Sequence, residues 1–187
     1  MTVNEPIFDM LKKAELFMVN AGKSAGTIEE MRSGALQIAE KYELEAAMQT
    51  SLLPGAVDAL KDLKKKGLKI GLCTINSANS TEQILSRFRL VQYFDTVVSR
   101  NHVTNFKPST EHCNAALVSM GVSAAETVVV GDSVTDMQSA TEIKATAVGI
   151  PTGVSTREQL VSQGANYIIT SIIDLPTLIE RINKAQN

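Results

Sequence analysis

Only two cysteines, Cys73 and Cys113, occur in the 187 residues. Two make no disulfide framework, and no metal-ligand spacing joins them. Cys73 lies in an apolar stretch and reads as a small core residue. Excess charge is missing too: 18 basic residues stand against 20 acidic ones, for a net of −2. That balance excludes the basic footprint of a nucleic-acid binder. The one cationic run, Lys64-Lys65-Lys66, closes a predicted helix and reads as a solvated face beside the negative helix terminus. No apolar run is long enough to span a membrane, and MTVNEPIFDMLKK lacks the basic-then-apolar order of a signal peptide. Internal repeats and low-complexity segments are absent. The chain therefore reads as a reduced, cytoplasmic protein: one domain with a small appended lobe, its core supplied by 44% hydrophobic residues.

The pattern changes near residue 50. Before it, Ile7, Leu11, Ala14 and Phe17 recur at helical spacing behind Asn4 as a cap and Pro6 in the first turn. Asn20-Ala21-Gly22 stops that helix. Thr27-Ile28-Glu29-Glu30 reads as a capping box opening a second helix through Met48. Tyr42, Met31 and Met48 stand at roughly helical spacing and read as packing residues. After Leu53-Pro54-Gly55, the segment AVDALKDLKKK is an amphipathic helix closed by Gly67. Strands are then expected at 69–74, 95–99, 127–131, 145–149 and 167–170, with helices at 79–88, 109–120, 134–142, 156–163 and 174–185. Such alternation predicts an α/β fold with a largely parallel, Rossmann-like sheet and helices on both faces. Residues 1–50 form a small helical lobe and 51–187 the α/β core. Chemistry in such sheets gathers at the carboxyl ends of the strands.

Three strand ends carry chemistry. The first ends at Thr74, whose hydroxyl with the free N–H groups of the turn can hold a phosphate oxygen; the plain alternative is a turn or cap residue. The second precedes Lys107-Pro108. Proline presets a helix start, which puts a lysine at the end that cations avoid, so an anion contact is the functional reading and a surface lysine the plain one. The third is VVVGDSVTDMQSA, residues 128–140. Gly131 allows a close turn, and Asp132 and Asp136 lie one turn apart at the strand end. Two carboxylates with the Ser133 hydroxyl suit Mg²⁺, which takes few protein ligands and keeps water or phosphate oxygens. The plain alternative is Ser133 as N-cap with Asp136 complementing the helix dipole. Together, a hydroxyl, a lysine and an acidic pair at successive strand ends suit a charged phosphoryl group. His102, near the Lys107 loop, reads as a surface residue, and His112 as part of a helix face.

The hydroxyl in LCTINS, the lysine in FKPSTEHCNAAL and the acidic pair in VVVGDSVTDMQSA resemble the second, third and fourth motifs of the haloacid dehalogenase-like (HAD) superfamily. The likeness is nearest to its phosphoglycolate phosphatase-like branch and runs from about Leu52 to the end, through the tail TGVSTREQLVSQGANYIITSIIDL. The resemblance implies that Thr74 and Asn76 bind phosphate and that Lys107 steadies the nucleophile and the phosphoryl group. It also implies that Asp132 binds Mg²⁺, with Asp136 completing the pair directly or through water. Residues 1–50 resemble a small cap inserted between the first and second motifs.

One element of that family is missing. Its first motif is an apolar strand ending in Asp-x-Asp, whose first aspartate forms an aspartyl-phosphate. The nearest text is Ile7-Phe8-Asp9-Met10-Leu11, with Leu11 in place of the second aspartate and a helical period around it. Asp9 is therefore a poor nucleophile candidate. In the family the missing strand lies mid-sheet, between those of Thr74 and Asp132. Without it, two central strands are expected to expose their edges or to pair with each other, and an exposed edge favours self-association. A missing N-terminal segment, by truncation or separate supply, accounts for this, as does a noncatalytic descendant. The reading with most support is a Mg²⁺-dependent phosphohydrolase for a small phosphorylated metabolite, with a phosphomutase or phosphonatase as variants. A catalytically inactive phosphate-binding or interaction domain is the alternative.

Overall fold

In the computed structural model, which describes residues 7–153 and 155–186, the chain divides into two compact units, Met1–Gln49 and Thr50–Asn187. The expected cap and first-turn residues Asn4 and Pro6 lie outside the described residues.

The first unit is a pair of helices, α1 (Ile7–Asn20) and α2 (Ala25–Gln49), joined by a turn in which Gly22 takes a left-handed φ of 70°. Leu11, Ala39 and Ala47 are buried, and Arg32 on α2 donates to Glu15 on α1 at 2.6 Å. The capping box expected at Thr27 is displaced. The helix starts earlier because Ser24 Oγ accepts the Thr27 N–H at 3.2 Å, filling the role of the cap three residues sooner. Tyr42 and Met48, read above as packing residues, are exposed.

In the second unit, strands and helices alternate as the sequence predicts. The order is α3 (Ala56–Lys65), β1 (Gly71–Cys73), α4 (Ala78–Arg87), β2 (Thr96–Val98), α5 (Glu111–Met120) and β3 (Val128–Gly131). It continues with α6 (Val134–Glu142), β4 (Thr146–Gly149), α7 (Arg157–Ser162), β5 (Tyr167–Ile168) and α8 (Leu175–Gln186). All pairings are parallel, but they form two sheets. β1 pairs with β2, with Leu72 opposite Val97; β4 lies between β3 and β5, with Val129 opposite Ala147 and Gly149 opposite Ile168. β1 and β3 do not pair with each other, so each keeps one edge without a strand partner among the described residues.

Side-chain alternation gives the three-stranded sheet two apolar faces. Val128 and Val130 pack with Leu63, Val148, Ile150, Ile169 and Leu175 towards α3 and α8. Val129 packs with Met137, Ala140, Ala147 and Leu160 towards α6 and α7. A strand covered on both faces and both edges is the most buried, and Ala147, Val148 and Gly149 of β4 are accordingly buried. β3 is only half-buried along its length, and β1 has no buried residue. The open edges leave them so.

The lysine run at the end of α3 is partly tied down. Lys64 contacts Asp95 at 2.8 Å, and that carboxylate also takes the Ile70 N–H at 2.7 Å. The Lys64 hydrogen bond, then that of Ile70, holds the Asp95 carboxyl below its ordinary range. Among the described residues, no helix is long and apolar enough to cross a membrane.

Candidate functional site

Lys107 arrives on an irregular loop between β2 and α5, held at both ends. Glu111, in the first turn of α5, accepts the N–H groups of Thr104 at 2.7 Å and Asn105 at 3.0 Å, so its carboxylate ties the loop to the helix start. The Lys107–Pro108 peptide bond is cis. Ser139, fully buried on α6, donates to the Pro108 carbonyl at 3.0 Å and fixes the loop against that helix. α5 begins at Glu111, two residues later than predicted, and the Lys107-Pro108 dipeptide stays outside it.

The lysine's ammonium group then joins two strand ends. Nζ donates to the carbonyl of Cys73, the last residue of β1, at 2.9 Å. It also donates to Asp136 Oδ1, just past β3, at 2.7 Å. Both side chains are largely shielded, with 14% and 11% of their surface exposed. In such surroundings a charge without its partner is costly, so the pair is a fixed unit.

Asp136 owes its place to the cap of α6. Ser133 Oγ accepts the Asp136 N–H at 3.2 Å, and Asp136 Oδ2 accepts the Ser133 N–H at 3.2 Å and its hydroxyl at 2.7 Å. This is the capping arrangement given above as the plain alternative. It coexists with the lysine contact, since Oδ2 serves the cap and Oδ1 the ammonium. Gly131 is required beneath it, because a methyl group there would collide with the Asp136 carboxylate. Asp132 points elsewhere. It is exposed, and its carboxylate lies against Gly153 in the loop after β4, where any Cβ would overlap it.

Thr74 extends β1, its N–H donating to the Val98 carbonyl at 2.9 Å. Its Oγ1 accepts the Asn76 N–H at 3.2 Å, which shapes the turn and leaves the O–H to donate. Ser77 caps α4 by accepting the Ser80 N–H. Behind the turn, His112 Nε2 meets the Thr74 carbonyl at 3.1 Å. His112 is fully buried and its Nδ1 has no partner among the described residues. Burial first, then the positive charge of Lys107, holds its pKa below the ordinary value.

The structure thus gathers Thr74, Asn76, Lys107 and Asp136 around adjoining strand ends, with Asp132 on the exposed side of the β3 turn. Asp9 belongs to the first unit. It lies on the exposed first turn of α1, on a helix rather than a strand. His102 is exposed and accepts the Ser99 N–H at Nδ1, at 3.0 Å. Glu111, Ser139 and His112 position the site without a sequence signal of their own, because each acts through a neighbour brought close only by folding. Apart from Asp132 and Asp136, no described carboxylate lies within five residues after the end of a strand. No three His, Cys, Asp or Glu side chains converge as a metal cluster among the described residues. The exposed Asp132 carboxylate has the open oxygens that suit a hard cation keeping most of its waters, as Mg²⁺ does.

Known proteins share this arrangement of elements. Residues 10–150 match the family described as haloacid dehalogenase-like hydrolase. A phosphoglycolate phosphatase from Caulobacter vibrioides is 30% identical over 135 residues, covering 72% of this chain and 56% of that protein. The pyrophosphatase PpaX from Bacillus mycoides is 29% identical over 126 residues, covering 67% of this chain and 59% of its own length. The chain therefore spans little more than half the length of these relatives. The crystal structure of a hydrolase from Pseudomonas syringae superposes with a TM-score of 0.73 at 27% identity, covering 96% of this chain and 80% of that one.

Proposed function

The chain belongs to the haloacid dehalogenase-like hydrolases, and on that premise we propose that its Thr50–Asn187 unit is the phosphoryl- and Mg²⁺-binding part of a phosphohydrolase for a small phosphorylated metabolite. The observation that carries this reading is the shielded Lys107 ammonium, held between the end of β1 and Asp136 at 2.9 and 2.7 Å. A cation fixed there neutralises phosphoryl oxygens without reorganising. The Thr74 O–H and the Asn76 amide donate to the same oxygens. Asp132 would hold Mg²⁺, with Asp136 completing the pair directly or through water, and the metal would supply charge neutralisation at the phosphoryl group. The helical unit, residues 1–50, serves as the cap that screens substrates.

Turnover in this chemistry needs a carboxylate that attacks phosphorus, expels the alcohol or phosphate leaving group, and is freed by water. We place that carboxylate on an extended segment lying along the open edges of β1 and β3. The half-buried state of both strands supports this. A second reading, a phosphate-binding domain without turnover, is favoured by the lack of a further carboxylate at the described strand ends.

Calorimetry with orthophosphate and Mg²⁺ tests the binding site. Lys107→Met should weaken phosphate binding about tenfold, the worth of one charge-assisted hydrogen bond, and Asp132→Asn should abolish the Mg²⁺ heat. Unchanged binding in both variants would refute the reading. Hydrolysis of an aryl phosphate then separates the two alternatives. Mg²⁺-dependent turnover places a nucleophile within the chain, and Asp9→Asn is the variant to try. Binding without turnover, rescued by an added peptide of alternating apolar residues ending in aspartate, supports the extended segment. No rescue favours the noncatalytic domain.

A further inference from the structure

The chain's only two cysteines stand on neighbouring elements, Cys73 at the end of β1 just before Thr74 and Cys113 on α5. Cys73 ends β1, and its thiol donates to the carbonyl of His112 at 3.4 Å, one residue before Cys113 on α5. Each thiol shifts the titration of the other, which places Cys113 next to Cys73 in space. A second tie, His112 Nε2 to the Thr74 carbonyl at 3.1 Å, holds strand and helix together at the same level. The catalytic proposal uses neither sulfur. We propose that Cys73 and Cys113 are an oxidation site, closing reversibly to a disulfide that joins the end of β1 to α5.

The surroundings divide the work between the two thiols. The neighbouring Cys73 thiol, helped by the nearby Lys107 ammonium, lowers the Cys113 pKa, while the Cys113 thiol and burial push Cys73 up. Cys113 is thus the readier thiolate, and its near-complete burial restricts the oxidant to a small hydroperoxide. The Cys113 thiolate attacks the peroxide oxygen, the O–O bond breaks, and the departing alkoxide or hydroxide takes a proton, leaving a sulfenic acid. Cys73 sulfur then attacks Cys113 sulfur. The S–O bond breaks, and hydroxide leaves with the Cys73 proton as water. Two thiols are oxidised by two electrons and one peroxide is reduced.

The site lies one bond from the phosphate-binding machinery. The carbonyl that accepts Lys107 belongs to Cys73 itself, at 2.9 Å. Drawing the Cys73 side chain into a covalent link moves that carbonyl and loosens the hold on Lys107. This second effect rests on the phosphohydrolase reading; the disulfide does not.

The experiment treats the folded full chain with hydrogen peroxide, alkylates remaining thiols and weighs the intact protein. The expected product has lost two hydrogens, carries no alkyl group, yields a Cys73–Cys113 crosslinked peptide and regains both thiols with dithiothreitol. In Cys73→Ala, Cys113 should stop at a sulfenic acid trapped by dimedone. Two alkylated thiols after peroxide, oxidation to sulfinic acid without a crosslink, or crosslinks only between chains would each overturn the proposal. Orthophosphate affinity is measured on the same samples, with about a tenfold loss on oxidation expected, the value of one charge-assisted hydrogen bond. A disulfide with affinity unchanged overturns the link to Lys107. Reduced protein that binds no phosphate counts against the phosphohydrolase reading and leaves the disulfide result standing.

Discussion

At the residue scale, the site is built from groups that serve twice. Asp136 caps α6 with one oxygen and holds Lys107 with the other. Its sequence position suggested either a cap or half of a metal-binding acidic pair; folding makes it the cap and adds the contact with Lys107, which the sequence did not suggest. His112 is the counterpart that sequence leaves nearly silent: a histidine on a helix whose depth is known only once α5 packs on β1. Because it is fully buried with a depressed pKa, the folded state holds it neutral, while the unfolded chain takes up a proton as pH falls below the ordinary value of 6.5. Its contribution to stability is complete above that value and is lost as pH drops through it. Denaturation midpoints should therefore fall between about pH 7.5 and 5.5, and fall less in His112→Asn. Equal slopes for both proteins would remove His112 as the cause.

At the element scale, the strongest local signals came through intact. β3 and α6 appear where VVVG and VTDMQSATE predict them, because apolar strand pattern, glycine turn and serine cap all agree there. The start of α2 shows the weaker side of such signals. Ser24 and Thr27 both offer a side-chain oxygen to a first turn, and Ser24 takes the cap. Gly131 couples the β3–α6 element to function. In Gly131→Ala the methyl group displaces the Asp136 carboxylate and with it the Lys107 contact. Phosphate and Mg²⁺ binding should drop together, by about tenfold or more, while circular dichroism remains that of a folded α/β chain. Full binding in a folded Gly131→Ala protein would show that Asp136 has room to move without consequence.

At the scale of the whole molecule, the two-sheet arrangement is the decisive feature. β4, paired on both sides and covered on both faces, is the centre of its sheet, whereas β1 and β3 each have an edge without a strand partner among the described residues. Amide hydrogen exchange followed by mass spectrometry should find β4 slowest and β1 and β3 faster, since exchange follows the cost of local opening. Strands β1 and β3 as slow as β4 would mean that their edges are covered in solution, as in an associated chain. The sequence alone determined the α/β alternation, the helical first unit and the three chemical strand ends, because apolar periodicity, caps and turns are local properties of the chain. Tertiary structure decided that the strands form two sheets, that Lys107 spans from Cys73 to Asp136, and that the Cys73 thiol reaches the α5 backbone beside Cys113. Those facts depend on which elements pack together, and packing is set by the sum of many distant contacts that no short stretch encodes.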